Sequence, residues 1–460
     1  MTNFLRSSKS ARMPHFYRLL SLYIFLAVNV CSLLPATAQS SKTQRIQTDL
    51  EEKIEQSPVF KKGFTGFALF DPESRKYLYT FQADKYFTPA SNTKILTFFA
   101  ASALLRQEAP VVHYNAVGDT LLLWGTGYPT LLHPDFVGYD TLGSWLGERS
   151  EKTWLIGNGH FHDERYGEGW SWDDYPYGYQ MEKAALPVYG NAVRFKKHGH
   201  LAPIKLVPSY FQDKLVYENS RTVGRFEDRN IFTFGERALQ VEKLDRQVGF
   251  RYESAAVEAI LQDTFAATVT FTNDELPRAY RRTTLHAPIP DTLYQALLKD
   301  SDNYLAEQFI QMCSAQRYGY ISSRRILRFL SDTLLAKTPQ PLDWVDGSGL
   351  SRYNKATPMS LIAVLDQLHQ QIPEKRLFQL FPAGGVSGTI QSWYGKDEGE
   401  PYVYAKTGTL RHVHCLSGYL VSASGKTYIF SFMHNNFPDK IGELKEEMQT
   451  VLEWLHQELD

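Results

Sequence analysis

The chain predicts an α+β fold in which an antiparallel sheet flanked by helices is interrupted by inserted, mostly-β modules. Three observations carry that expectation. Toward the C-terminal end, Leu416–Ser422 and Thr427–Met433 flank the turn Ala423-Ser424-Gly425-Lys426, and Ile441, Leu444, Met448, Val451, Leu452 and Leu455 then mark one face of a helix. Toward the other end, the aromatic-rich runs Phe64–Phe70 and Tyr77–Phe81 flank Asp71-Pro72-Glu73-Ser74, which is turn chemistry. Between them, Ala202–Val207, Phe232–Phe234 and Ala266–Phe271 read as short strands with charged turns.

Taken in order, the first 38 residues read as a secretory signal. Arg6, Lys9, Arg12 and Arg18 are followed by an apolar run from Leu19 to Leu34 and by Ala36-Thr37-Ala38, an A-x-A cleavage pattern before Gln39. The run is interrupted by Asn29, and no later segment reaches the about 18 apolar residues of a spanning helix, so no permanent membrane span is expected. An uncleaved anchor is the alternative; a lipid anchor at Cys31 is disfavoured by Val30. Ile46, Leu50 and Ile54, four apart, then suggest a short amphipathic helix. After the first hairpin, TPASNTKILTFFAASALL has proline in its first turn and no glycine, so a helix starting near Pro89 should be buried nearly all round.

Composition narrows the function. With 460 residues, 43% of them apolar, the chain can fill a large core and suggests about two to four domains. Lys+Arg 49 against Asp+Glu 50 gives a formal charge of -1, and no long single-sign run stands out, so nucleic acid is not an expected partner. Cys31, Cys313 and Cys415 make neither a disulfide framework nor a redox or zinc pair.

The chemistry begins at Ser91 and Lys94, three apart and therefore neighbours on one helical face. A serine hydroxyl needs a base to become a nucleophile, and a desolvated lysine can be that base. The helix start adds oriented N–H groups for a developing oxyanion. Alone, S-x-x-K is a weak signal. It gains weight from Ser301-Asp302-Asn303, which precedes the helical run Tyr304–Met312, and from Lys406-Thr407-Gly408, which follows the strand-like Tyr402–Ala405. Ser301 can relay a proton to a leaving amine and Asn303 can bond a substrate amide. Lys406 supplies positive charge, which as a like charge would also help hold Lys94 neutral, and Gly408 would let a substrate backbone approach the strand edge.

With these three motifs in this order, the sequence resembles the penicillin-recognising serine D-Ala-D-Ala peptidases, whose fold is β-lactamase/transpeptidase-like. More narrowly it is similar to the DacB-type carboxypeptidase/endopeptidase family, in which extra domains are inserted between the first two motifs. Ser91 and Ser301 are 210 residues apart, Ser301 and Lys406 only 105, so the insertion belongs in the first interval. Residues 43–110 and 286–460 would form the catalytic domain around an insert at 111–285. The segments Gly118–Leu131, Ile156–Tyr179, Asp346–Asn354 and Pro382–Ile390 extend the likeness over most of the mature chain. It departs at GYPTL, where an acidic residue before the proline is usual, in a shortened Arg281–Ser301, and at Leu410-Arg411-His412-Val413-His414-Cys415, where smaller residues are usual.

The resemblance implies an exported, periplasmic enzyme that needs no cofactor or metal, acts on peptidoglycan stem peptides and is acylated by β-lactam antibiotics. Backbone N–H groups of Ser91 and Thr409 would hold the oxyanion, and Lys406 with the hydroxyls of Thr407 and Thr409 the terminal carboxylate. It also implies that Asp173 or Asp174 faces the amino group of a substrate diamino acid; solvated loop acids beside tryptophans are the other reading. A serine β-lactamase and a non-catalytic wall-binding protein share these motifs, but Glu307 and Glu374 lack the sequence context of a class A deacylating glutamate. The pairs His160/His162, His198/His200 and His412/His414 put two imidazoles on one strand face, a metal-site spacing, yet no third ligand stands beside any of them. Arg278, Arg281 and Arg282 read as a solvated face.

Overall fold

A computed structural model describes residues 44–105, 108–219, 223–273, 283–395, 400–438 and 441–459. The first 38 residues, read as a secretory signal and containing Cys31, and Arg278, Arg281 and Arg282 lie outside the described residues. The chain divides into two units, Met1–Ser57 and Pro58–Asp460. In the first, residues 44–50 are helical and continue into a wider turn, Glu51–Glu55, and Ile46, Leu50 and Ile54 are the buried positions, as their spacing implies.

The second unit opens with the expected hairpin, β1 (Phe64–Asp71) and β2 (Lys76–Phe81). Its turn is held by Asp71, whose carboxylate accepts from the Glu73 N–H at 2.9 Å and the Ser74 hydroxyl at 2.9 Å. A tight turn, Ala90–Asn92, leads into helix α1 (Thr93–Leu104), of which every residue from Thr93 to Ala101 is buried. A helix apolar on all sides has no face to give to water, so it becomes a central post of the core.

Next come β3 (Ala109–Val117), β4 (Thr120–Gly125), helix α2 (Thr141–Gly147), β5 (Thr153–Gly157), β6 (Ala192–His198), β7 (Lys205–Val207), β8 (Leu215–Tyr217), β9 (Gly224–Arg225), β10 (Phe232–Phe234), β11 (Lys243–Gly249), helix α3 (Ser254–Phe265), β12 (Thr268–Thr272) and β13 (Thr283–Ala287). They form three sheets, ordered β12-β5-β4-β3-β13, β11-β6-β7 and β8-β10-β9. β4–β5 and β5–β12 are parallel pairs. Parallel neighbours need crossover connections, and α2 and α3 lie in them. Helix α3 escapes the strand-by-strand reading of this region, although Ala256, Val257, Ile260 and Leu261 bury one helical face. Ala266, read as the start of a strand, is the left-handed C-cap of α3 at φ 52°, so the strand begins two residues later.

The chain then adds α4 (Asp291–Leu298), α5 (Asn303–Tyr318), α6 (Ser323–Thr333), α7 (Pro358–Gln371) and α8 (Glu374–Leu380), and closes with β14 (Val403–Leu410), β15 (Val413–Val421), β16 (Thr427–Asn435) and α9 (Ile441–Glu458). The terminal sheet runs β14-β15-β16-β1-β2, so the two ends of the unit meet where β16 pairs antiparallel with β1, Phe432 opposite Phe67. Val413, Cys415 and Tyr419 join the large core from one face of β15, while Leu416 and Leu420, which alternation points the other way, are buried as well. A sheet buried on both faces needs a layer on each. Helix α7 packs on β1, β15 and β16, and α9 contacts β15. No described strand from β3 to β13 pairs with this terminal sheet.

Candidate active site

Ser91 sits in the turn just before α1, one residue after Ala90, a non-glycine residue at φ 49°. A left-handed alanine costs energy that the surrounding packing must supply, and such residues gather where a side chain has to be aimed. One turn on, Lys94 is fully buried, and its Nζ lies 3.0 Å from Ser91 Oγ, 2.5 Å from Asn303 Oδ1 and 2.6 Å from the Ser348 carbonyl. With two of its N–H groups held by the two carbonyl oxygens, a deprotonated Lys94 would have no donor left for Ser91 and would turn its lone pair toward the serine hydroxyl. Burial pulls Lys94 down to about 8 against the opposing pull of Asp346, Asp302 and Glu307. Burial, rather than the like charge of Lys406, is the first cause.

Ser301 stands at the end of the α4–α5 connection in the left-handed region at φ 59°. Asp302, the middle residue of the motif, is the N-cap of α5 and accepts from the Leu305 N–H at 2.9 Å, which sets Asn303 as the first residue of that helix. Lys406 on β14 is fully buried, and its Nζ donates to Ser301 Oγ at 2.8 Å and to the Thr407 carbonyl at 2.8 Å. Burial first, and Lys94 second, hold it well below its ordinary value. Two lysines so placed resist carrying charge together. The Lys406 carbonyl in turn accepts from Asn92 Nδ2 at 2.8 Å, tying β14 to the turn that carries Ser91.

Gly408 has a use besides the one expected. A Cβ there would stand 2.4 Å from the Pro89 carbonyl oxygen and 2.9 Å from the Ser91 nitrogen, so its bare backbone makes room for the Ser91 turn. The Thr407 hydroxyl is spent on Thr389 Oγ1 at 2.7 Å. Thr409, in contrast, is exposed. A cavity of about 850 Å³ is lined by Ser91, Ser301, Asn303 and Thr409, with Asp173 and Asp174 on its wall. Lys94 and Lys406 lie behind this lining. Asp173 is exposed and Asp174 half-buried, the latter accepting from the Tyr179 hydroxyl at 2.8 Å. Their loop is fastened to the site by Asn303 Nδ2 on the Tyr179 carbonyl at 2.9 Å, and by Trp170 Nε1 on Asp346 at 2.9 Å.

The sequence marks Asp346–Asn354 and Glu307 without assigning them the scaffold they form beneath Lys94. Asp346 accepts from the N–H groups of Gly349 and Ser351 and from Asn354 Nδ2, folding Asp346–Asn354 into a tight loop. That loop presents the Ser348 carbonyl to Lys94, while Glu307 accepts from the Ser348 N–H at 2.8 Å. Glu307 is buried, and burial and Asp346 push it up to about 7. Gly349, at φ +84°, has no room for a Cβ, which would stand 1.9 Å from the Ala90 carbonyl oxygen. The density of turn formers in Asp346-Gly347-Ser348-Gly349 was the available signal.

Other candidates resolve differently from their sequence pattern. Neither Glu307 nor Glu374 lines the cavity, and Glu374 is paired with His369 at 3.1 Å. The histidine pairs do not share strand faces. His160 lies in the turn after β5 and His162 just beyond it, His200 lies in the turn beyond β6, and His412 lies in the β14–β15 turn at φ 63° with only His414 on the strand. Among the described residues no three His, Cys, Asp or Glu side chains gather as metal ligands, and no helix is long and apolar enough to cross a membrane.

Residues 46–458 match the D-Ala-D-Ala carboxypeptidase 3 (S13) family. The chain belongs to that family. It is 31% identical over 161 residues to the D-alanyl-D-alanine carboxypeptidase DacB of Haemophilus influenzae, an alignment that spans 33% of each chain. It is 24% identical over 463 residues to a D-alanyl-D-alanine carboxypeptidase of Actinomadura sp. (strain R39), covering 89% of this chain and 85% of that one. Its fold is similar to the crystal structure of penicillin binding protein 4 (dacB) from Haemophilus influenzae, with a TM-score of 0.69, 20% identity, and coverage of 89% of this chain and 99% of that one. Within an S13 family member, the S-x-x-K, S-D-N and K-T-G residues named above meet in one place.

Proposed function

We propose that this S13 family member is a serine D-alanyl-D-alanine carboxypeptidase and endopeptidase of peptidoglycan stem peptides, exported to the periplasm and acylated by penicillins. The observation that carries the reading is the fully buried Lys94, lowered to about 8 and 3.0 Å from Ser91 Oγ on the floor of an open cavity. Lys94 as its free amine takes the Ser91 proton, and Ser91 Oγ attacks the carbonyl of the penultimate D-Ala. The N–H groups of Ser91 and Thr409 hold the oxyanion. As the tetrahedral intermediate collapses, the C–N bond breaks and the proton passes from Lys94 through Ser301 to the leaving amine. Water then attacks the ester, giving a proton to Lys94, which returns it to Ser91 Oγ as the acyl–oxygen bond breaks and the acid is released. Asn303 positions Lys94 and bonds the peptide, and Lys406 holds Ser301 in place.

The three-part organisation belongs to the same reading: a catalytic domain from 43–110 and 286–460, and an insert over 111–285 that brings Asp173 and Asp174 to the cavity. Strand pairing within each group supports it. A β-lactamase reading requires a base for fast deacylation, and Glu307, committed to the Ser348 N–H, does not supply one. The test is to incubate the mature protein with cross-linked and uncross-linked muropeptides and identify products by mass. Loss of the terminal D-Ala is expected, and intact substrates refute the reading. A penicillin adduct followed over time distinguishes a peptidase, with a long-lived adduct, from a lactamase that clears it and a binding protein that never forms it.

A further inference from the structure

Beside the cavity stands a pair of buried imidazoles that the mechanism leaves unused. His414 on β15 is the direct cross-strand partner of Thr409 on β14 and of His434 on β16. Its side chain is buried, and its Nδ1 lies 2.9 Å from Thr409 Oγ1. His434 is committed in the same way to a threonine, with Nδ1 2.8 Å from Thr65 Oγ1. Burial pulls His414 down to about 3, so the imidazole is neutral and carries one ring N–H. Thr409 joins this buried group to the open cavity.

A hydroxyl has one proton to give and two lone pairs to receive with. Were Nδ1 the acceptor, the threonine proton would be spent inside the sheet, and lone pairs would face the cavity and repel a carboxylate. Were Nδ1–H the donor, the threonine proton would be turned outward. We propose that His414 is a positioning residue that donates its Nδ1–H to Thr409 and so fixes this hydroxyl as a donor to the terminal carboxylate of the peptide. The inference rests on the carboxypeptidase reading above, in which Thr409 meets that carboxylate. It also gives a use to the bulky segment after the K-T-G motif, where the sequence departs from its family's smaller residues.

The experiment compares kcat/KM for a peptide ending in D-Ala-D-Ala with that for its C-terminal carboxamide, in the unaltered protein and in His414→Asn, His414→Phe, Thr409→Val and the double variant. Asparagine places an amide N–H near the Nδ1 position; phenylalanine keeps the ring and removes the donor. The preference for the free acid should fall roughly 10-fold in His414→Phe, the size of one charge-assisted hydrogen bond. It should survive in His414→Asn, and His414→Phe should add nothing to Thr409→Val. An unchanged preference, or an equal loss on both peptides, overturns the role. Ring 15N shifts of the unaltered protein give a readout that no folding defect can disturb, and an unprotonated Nδ1 overturns it as well. If the unaltered protein cleaves neither peptide and takes no penicillin label, the carboxypeptidase reading fails first and removes this role with it.

Discussion

The floor and the wall of the cavity are built on opposite principles. Under the floor, Lys94 and Lys406 are fully buried, and their Nζ atoms reach Ser91, Asn303, Ser348, Ser301 and Thr407 at 2.5 to 3.0 Å. On the wall, Asp173 is open to solvent, and its chain neighbour Trp172 is 76% exposed. The difference is one of dielectric. Groups that must change protonation are held where burial sets their pKa, while groups that would sort substrates are held where water screens them and a ligand must displace it. Perturbing the floor should therefore cost rate on every substrate, and perturbing the wall should cost only discrimination.

The largest expected effect is on the floor. Ser91→Ala should abolish both peptide turnover and labelling by a fluorescent penicillin while the thermal unfolding profile stays intact; a labelled variant removes the nucleophile assignment. Next, Lys94→Ala and Lys406→Ala should each cut acylation by more than the ~10²-fold of a single general-base contribution, since one lysine moves the proton and the other holds Ser301. A mild loss at either position breaks the paired role. The floor also predicts a pH profile. Lys94 is lowered to about 8 by burial, so acylation should rise as pH climbs through that value and the amine becomes free. The same depression means the unfolded chain holds this proton up to its ordinary value of 10.5, so the Lys94 contribution to stability increases with pH between about 8 and 10.5. A rate that falls across this window contradicts a free-amine base.

The floor was also the part most legible in the sequence, because local rules place it. Ser91 and Lys94 meet by helical spacing, and strand alternation puts Lys406 and Gly408 on the β14 face toward the Ser91 turn. What stayed hidden depends on contacts between distant segments. Nothing local says that Ser348 will turn its carbonyl to Lys94, or that the missing side chain of Gly408 accommodates Pro89 and Ser91. Helix α3 was hidden for another reason: Ala256, Val257, Ile260 and Leu261 form a short apolar face among strand-like neighbours. The loop under Lys94 gives the third prediction. Gly349→Ala would drive a Cβ to 1.9 Å from the Ala90 carbonyl at a φ that L-residues rarely adopt. It should lower stability by about 1 to 3 kcal/mol and slow acylation on all substrates, as thermal unfolding and penicillin labelling would read. A neutral result would mean that this loop does not hold the Ser91 turn.

The smallest expected effect is on the wall, and it is the one that separates the two regions. Asp173 and Asp174 line the same cavity as Ser91 but touch none of the floor residues through the hydrogen bonds described; Asp174 is bonded to Tyr179. If one of them meets the free ammonium of a diamino acid, the charge-assisted contact is worth ~1.5 to 3 kcal/mol. Substituting asparagine keeps the shape and removes the charge. Asp173→Asn or Asp174→Asn should then lose roughly 10-fold in kcat/KM for muropeptides that carry the free amine, while acylation by a penicillin without that amine is unchanged. Because the wall is solvated, added salt should shrink the effect, whereas the Lys94 and Lys406 losses should not respond. If both variants leave both reactions untouched, the acidic pair is a solvated loop and the wall selects substrates by other residues. If both reactions fall together, the pair supports the Trp170–Tyr179 segment, and through its bond to Asn303 the wall becomes part of the floor.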